Sequence, residues 1–394
     1  MFVRILIFFL LVLCVVMGLH YVKREFGVGP GLPNVTTGWQ SDQTPPPSLV
    51  PSVATEADSQ QTASNSVRQQ IGSLLAIPLL LDEDGIASSS VSLAFVQEHQ
   101  PLMVVLFGTD ISATAAAAVT SQLRQLPNPP LVAVDHEGGT VQRLAGSGFT
   151  ILPSWQQMCA LQPEARGDLI ASSAAQLQQA GIDVVLGPVV DRAASGSALR
   201  SRSCSADPEK IAAVAQQLIS IYKEVGIATM LKHYPGIGSS RSDLHTQSAK
   251  GTIKPDDTRP FEILMANDPT LSVMVSHLRI DPADPETPCS MSYLCVGELH
   301  RVFPDAILVS DALEMKSAGY LTGSSTIQRP LSERPTAVLR AGVDVALFGP
   351  SVTEADLKAV INQLEKDFTI SGRLDAKATT HVLRANQWRA IIQQ

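Results

Sequence analysis

Aromatic side chains make up only 5% of this 394-residue chain and charged ones 17%, and the charge leans acidic, with 29 Lys and Arg against 37 Asp and Glu. The first 24 residues hold Arg4, Lys23 and Arg24 and no acid, leaving 26 basic against 37 acidic side chains in the rest. Such a body has no electrostatic footprint for DNA, RNA or an anionic lipid surface. Collagen, disorder throughout and a multi-span transporter are excluded by composition, since long apolar and low-complexity runs are confined to the N-terminal region. Also missing are a G-x-S-x-G elbow, a metal-ligand set and a phosphate loop, while GVGPG at 27–31 follows no strand pattern and is no dinucleotide fingerprint. No cofactor and no metal is expected. What is present is 45% hydrophobic, ample for a core of two ordinary domains or one large α/β barrel.

Ile5 to Leu19 is uncharged and apolar and is followed by Lys23 and Arg24. As a helix it spans about 23 Å, short of the roughly 30 Å hydrocarbon core, so residues 1–24 read as a signal-peptide core or a minimal signal anchor. The lack of a small-x-small cleavage site favours the anchor, and Leu13 before Cys14 does not fit a lipobox. Residues 25–66, rich in Pro, Ser, Thr and Gln, read as a solvated linker. Membrane contact through the N-terminal segment, with the body at the cell envelope outside the cytoplasm, is the resulting expectation. The four remaining cysteines, Cys159, Cys204, Cys289 and Cys295, fit either disulfides or free thiols, and the sequence gives no connectivity.

From residue 67 onward, short β-branched runs alternate with helical patterns. The runs are Leu74 to Leu81, Leu102 to Gly108, Leu131 to Asp135, Asp183 to Asp191, Ala228 to His233, Leu271 to His277, Ala306 to Asp311 and Val343 to Phe348. They are near-continuously apolar, as parallel strands covered on both faces are. Asp207 and Pro208 start a helical pattern that ends at Gly226, and Thr353 precedes another, EADLKAVINQLEKDF. Eight alternations predict an α/β fold, a single (β/α)8 TIM barrel over 67–394. Polar residues collect at the strand ends: Asp135, His136 and Glu137 after the third, Asp191 after the fourth, Lys232 and His233 after the fifth, His277 after the sixth and Asp311 after the seventh. In such barrels the C-terminal mouth holds the active site, so these side chains are expected to converge there.

Three stretches then carry a specific resemblance: LVAVDHEGGTVQRL at 131–144, LKHYPGIGSSRSDLH at 231–245 and LVSDALEM at 308–315. Together they resemble glycoside hydrolase family 3, in its bacterial β-N-acetylglucosaminidase (NagZ-type) branch, with patterns D-x-E-G-G-x-V-x-R, K-H-F-P-G-H-G followed by D-S-H, and S-D-D/A-L-x-M. The resemblance implies that Asp311 is the catalytic nucleophile, forming a glycosyl-enzyme that water opens with retention. It implies Asp243 and His245 as the acid/base pair, an imidazole titrating near neutral pH beside a carboxylate that sets its tautomer. Asp135, Arg143, Arg202, Lys232 and His233 would bind sugar hydroxyl or N-acetyl groups, while His136, Glu137 and His277 would support them. Read alone, Asp311 also fits a cap on the segment that follows it, and D-x-H in a Ser/Gly loop is common.

The chain departs from the family pattern at Ile237, in place of a loop histidine, at Cys204, where an aromatic is usual, and at Tyr234 for phenylalanine. These touch the sugar-contact loops more than the proton-transfer set. The expected activity is a retaining exo-β-N-acetylglucosaminidase (β-N-acetylhexosaminidase) acting on a carbohydrate with terminal β-GlcNAc, such as a peptidoglycan fragment. A phosphorylase and a degenerate sugar-binding protein are the alternatives, since a His acid/base tolerates a phosphate acceptor.

Overall fold

The computed structural model describes residues 66–83, 85–319 and 328–394. The leader expected at 1–24 and the linker at 25–65 lie outside the described residues. Ser66, expected to close the linker, already caps the helical turn Val67–Gly72, its Oγ taking the Gln69 N–H while the Gln69 side chain returns to the Ser66 N–H. Among the described residues, no helix is long and apolar enough to cross a membrane.

All eight expected runs contribute strands to one parallel sheet. They are β1 (Leu75–Asp82), β2 (Met103–Phe107), β3 (Leu131–Val134), β4 (Val184–Val185), β5 (Ala228–Tyr234), β6 (Ser272–Val275), β7 (Leu308–Ser310) and β8 (Ala346–Leu347). Their order is β8-β1-β2-β3-β4-β5-β6-β7, with each neighbouring pair parallel. The sheet curls on itself: a parallel bridge joins Val309 to Val345, and the Ser310 N–H donates to Val345 O at 2.9 Å, so β7 meets the chain entering β8. Every residue of β2 and β3 is buried, which explains the absence of polar alternation in these runs.

Helices follow the strands: α1 (Leu93–His99), α2 (Ala113–Arg124), α3 (Pro163–Gln179), α4 (Pro208–Glu224), α5 (Pro255–Asn267), α6 (Tyr293–Val302), α7 (Arg334–Ala341), α8 (Glu354–Phe368) and α9 (Ala376–Ile392). The start signals act as read. Asp207 accepts from the N–H groups of Glu209 and Lys210 with Pro208 in the first turn, and Thr353 forms a capping box with Asp356.

Several strands are shorter than their apolar runs. The run 183–191 yields only a two-residue β4, because Pro188 has no N–H to continue the ladder, and pairing resumes at a bridge between Val189 and Lys232. At the amino end of β7, buried Asp344 accepts from Leu308 N–H and from Arg384 Nε, and its carboxylate also meets His381 Nδ1 at 3.0 Å, tying α9 to the sheet away from the polar mouth. The cysteine question resolves into two disulfides, Cys159–Cys204 and Cys289–Cys295.

Candidate active site

Beyond β3 the chain makes a small hairpin, His136–Gly138 against Val141–Gln142. Gly138 turns it at φ 90°, where an added Cβ would lie 2.2 Å from Pro153 O, so only glycine fits. The hairpin presents Asp135 and Glu137 to the end of β5. There Lys232, 2% exposed, places Nζ 2.8 Å from Asp135 Oδ1 and 2.6 Å from Glu137 Oε1. Arg202, from the loop after β4, forks onto Glu137 with Nε and Nη2 each at 2.8 Å. Arg143 Nε lies 3.9 Å from Asp135 Oδ2, and its guanidinium stands 5.6 Å over the Phe107 ring.

Burial pushes the Glu137 carboxyl up, but Lys232 and Arg202 outweigh it and hold the group at about 2 against an ordinary 4.5. Burial likewise works against charge on Lys232 and Arg202, and the carboxylates beside them raise both. Glu137 is thus a fully engaged anion that orients cations; it is not placed as a nucleophile. His136 turns away, with Nε2 3.0 Å from Ser173 Oγ, and burial lowers it from 6.5 to about 4.

Asp191, fully buried beyond β4, gathers the next element. Its carboxylate accepts from His233 N–H at 3.1 Å, His233 Nδ1 at 2.7 Å and Ile237 N–H at 2.7 Å. Nδ1 therefore carries the proton, and Nε2 is the ring nitrogen left for the cavity. Ile237, which stands where the family pattern has histidine, is fixed through its main chain while its side chain lines the cavity. The glycine after it is sterically required: a Cβ on Gly238 would lie 1.8 Å from Arg192 O.

Asp311 follows β7, held in register by its own N–H to Val275 O at 2.9 Å. Burial disfavours its ionisation, yet His233, His277 and His245 around it, with the Ala312 N–H on Oδ1, leave the carboxyl below its ordinary value. His277 is buried and its pKa lowered mainly by that burial; Nε2 donates to Ala312 O and Nδ1 accepts from Ser290 Oγ. It braces the main chain beside Asp311. The alternative in which Asp311 caps a helix is not what the chain does, since the nearest helical turn begins only at Lys316.

The segment after β5 brings in the proposed acid/base pair. Ser240 Oγ bonds Ser242 O, and the loop is pinned to the chain beyond Asp311 by Lys316 N–H to His245 O and Ser317 N–H to Leu244 O, both 3.3 Å. One expectation is corrected here. The Asp243 carboxylate accepts the main-chain N–H of His245 at 2.9 Å, so it shapes the turn that carries the ring and does not bond the ring itself. His245 itself is among the residues that line the cavity.

All eight singled-out residues, Asp135, Arg143, Arg202, Lys232, His233, Asp243, His245 and Asp311, line one cavity of about 530 Å³. The rest of its wall mixes apolar side chains, among them Phe107, Leu186, Met274 and Met315, with Glu314, Ser240, Ser242 and Ser351. One lining residue escaped sequence reasoning, as did the role of another residue. Glu314 lines the cavity near Asp311; its Oε2 takes the Gly349 N–H at 2.9 Å, and burial raises its pKa. Its spacing of three after Asp311 was the available signal. Asp191 was visible as a strand-end acid, but its grip on His233 depends on a fold-level approach across 42 residues. Among the described residues no cluster of His, Cys, Asp or Glu has the arrangement of a metal site.

A curled parallel sheet with carboxylates, imidazoles and cations at its carboxyl-terminal mouth defines the class: an α/β enzyme whose site suits a polyhydroxylated ligand. The model for the glycosyl hydrolase family 3 N-terminal domain matches residues 57–385. The chain belongs to glycosyl hydrolase family 3 and is a glycoside hydrolase. A β-hexosaminidase of Shewanella frigidimarina is 30% identical over 286 residues, 68% of this chain and 81% of that protein. Among solved structures, LpqI of M tuberculosis superposes with a TM-score of 0.69 at 23% identity, covering 84% of this chain and 96% of that one. A β-N-acetylhexosaminidase from Beutenbergia cavernae gives 0.69 at 23%, covering 84% and 99%. Both superpositions speak to the fold.

Proposed function

We propose that the protein is a retaining exo-β-N-acetylglucosaminidase, a β-N-acetylhexosaminidase that removes terminal β-GlcNAc from peptidoglycan fragments or related glycans. The observation that carries this reading is the convergence, in one cavity, of an Asp311 carboxylate held ionised and an imidazole on the facing loop. In the first step an Asp311 oxygen attacks the anomeric carbon while His245 gives its proton to the departing glycosidic oxygen. In the second, His245 takes a proton from water, whose oxygen displaces Asp311 from the anomeric carbon with net retention. Asp135 accepts from ring hydroxyls, while Lys232, Arg202, Arg143 and His233 donate to hydroxyl or acetamido oxygens. Asp243 supports His245 by holding its turn. The curled sheet is read as a closed (β/α)8 barrel on its strand order and the Val309–Val345 bridge.

The test is turnover of an aryl β-N-acetylglucosaminide beside the matching β-glucoside, with Asp311→Ala as control. Turnover confined to the N-acetyl substrate and lost in Asp311→Ala is expected; turnover retained by that variant would remove Asp311 from the mechanism. His245→Ala should slow substrates with poor leaving groups by about 10² to 10⁴-fold and activated aryl ones far less. Equal losses on both would take the acid role from His245.

We further propose that residues 1–24 form a signal peptide or signal anchor, 25–66 a linker and 67–394 the catalytic domain outside the cytoplasm. Support comes from the apolar leader and from two disulfides, which persist in oxidising compartments. Protease digestion of intact cells against lysed ones checks it: protection in intact cells combined with free thiols would place the domain inside.

A further inference from the structure

Arg202 reaches the cavity from a long irregular stretch between β4 and α4. Its side chain is fixed by the fork on Glu137, which uses two of the five guanidinium donors and leaves the others for a ligand. Its main chain lies in a single turn, Arg200–Arg202, entered at a positive φ of 51° at Arg200. The main-chain bonds of this stretch are mostly local turns, with Ala193 N–H to Ser205 O closing the loop and Ala198 N–H to Ser240 O joining it to the segment after β5. Two residues after Arg202, however, Cys204 is bonded to Cys159, the C-cap of the helical turn Trp155–Met158. Both sulfurs belong to buried residues, and that turn is itself anchored, Trp155 Nε1 donating to Val189 O at 2.8 Å. The chain thus fastens covalently the position at which the family pattern places an aromatic ring.

We propose that the Cys159–Cys204 disulfide positions Arg202 for sugar binding, taking the place of a packed aromatic side chain, so that substrate affinity depends on the oxidised state of this pair. The proposal rests on the reading of Arg202 as a sugar ligand. Asp311 and His233 are carried by β7 and β5, and His245 sits on a loop held from the other side by the Lys316 and Ser317 N–H groups, so the loss is expected to fall on binding more than on the chemical step. Reduction adds two electrons and two protons to the sulfur–sulfur bond, giving two thiols, and an added dithiol supplies them by closing to its own disulfide.

The full chain is assayed with an aryl β-N-acetylglucosaminide, oxidised and after dithiol treatment, beside Cys159→Ser/Cys204→Ser, Cys159→Ala/Cys204→Phe and Arg202→Ala. Reduction should raise KM about tenfold with kcat within about twofold. The double serine variant should show the raised KM without reductant and no further response, and the phenylalanine variant should recover most of the affinity. An unchanged KM in wild-type protein whose thiols at 159 and 204 react freely overturns the proposal. So does a response that persists in the double serine variant, since it would come from Cys289–Cys295, and so does a fall in kcat as large as the rise in KM, which would mark a merely structural crosslink. Arg202→Ala separates the two readings. If it leaves KM unchanged, the ligand role of Arg202 fails; if it raises KM while reduction does not, only the disulfide proposal fails.

Discussion

Two cations share one carboxylate at Glu137, and its protonation therefore strips both of a partner at once. The folded-state value of about 2 lies below the ordinary 4.5, so the stabilisation is complete above 4.5 and is lost as pH falls from there through about 2. The shift corresponds to something on the order of 3 kcal/mol. Glu137→Gln should cost about 3 to 5 kcal/mol near neutrality, since it leaves buried cations under-compensated, and should flatten the fall in stability below pH 4.5. Urea unfolding of both forms at several pH values between 3 and 7 measures this; a variant as acid-sensitive as wild type would remove Glu137 as a source. His136 acts in the same direction at higher pH, because a ring lowered from 6.5 to about 4 resists the proton that the unfolded chain accepts. At this scale the motifs already singled out Asp311, Lys232, His233 and Arg202, which the fold brings to one cavity. It did not show that Asp243 would bond the main chain of His245, because residue identity fixes the donors and acceptors present and leaves their pairing to loop geometry.

Between strands and helices, the loops show how close packing enforces sequence. Gly238 approaches the main chain of Arg192, and the stretch between Gly236 and Gly238 delivers Ile237 N–H to Asp191. Gly238→Ala should therefore displace the loop and cost about 2 to 4 kcal/mol or a comparable share of substrate affinity, read by melting temperature and KM together. Gly349→Ala should act on the other wall, where a Cβ would lie 2.0 Å from Glu314 Oε1; an unchanged KM there would show that Glu314 moves aside freely. Cys159 and Cys204 are 45 residues apart, and closing such a loop removes about 4 kcal/mol of unfolded-state entropy, so Cys159→Ser/Cys204→Ser should melt several degrees lower. Strand positions were legible because burial on both faces writes continuous apolar runs. Their ends were not, since Pro188 breaks one ladder and the residues after β6 and β7 leave theirs to serve the mouth.

For the molecule as a whole, the count and order of strands could be read from alternation alone, because each strand is parallel to the next and needs a helix to return. The meeting of β7 with the chain before β8 could not, since it is a contact between segments with no local signature. The mouth built by this curl also has a property that no single residue owns. Asp135, Glu137, Lys232 and Arg202 form a chain of alternating sign whose formal charges cancel. A neutral sugar entering such a mouth displaces no bound ions, so its affinity should stay nearly flat from low to high ionic strength. Ligands bearing a carboxylate beyond the sugar would meet the exposed remainder of the surface and show a salt dependence of their own. A titration of one neutral and one anionic glycoside across the same salt series would thus read, from the difference in slope, where the self-neutralised part of the mouth ends.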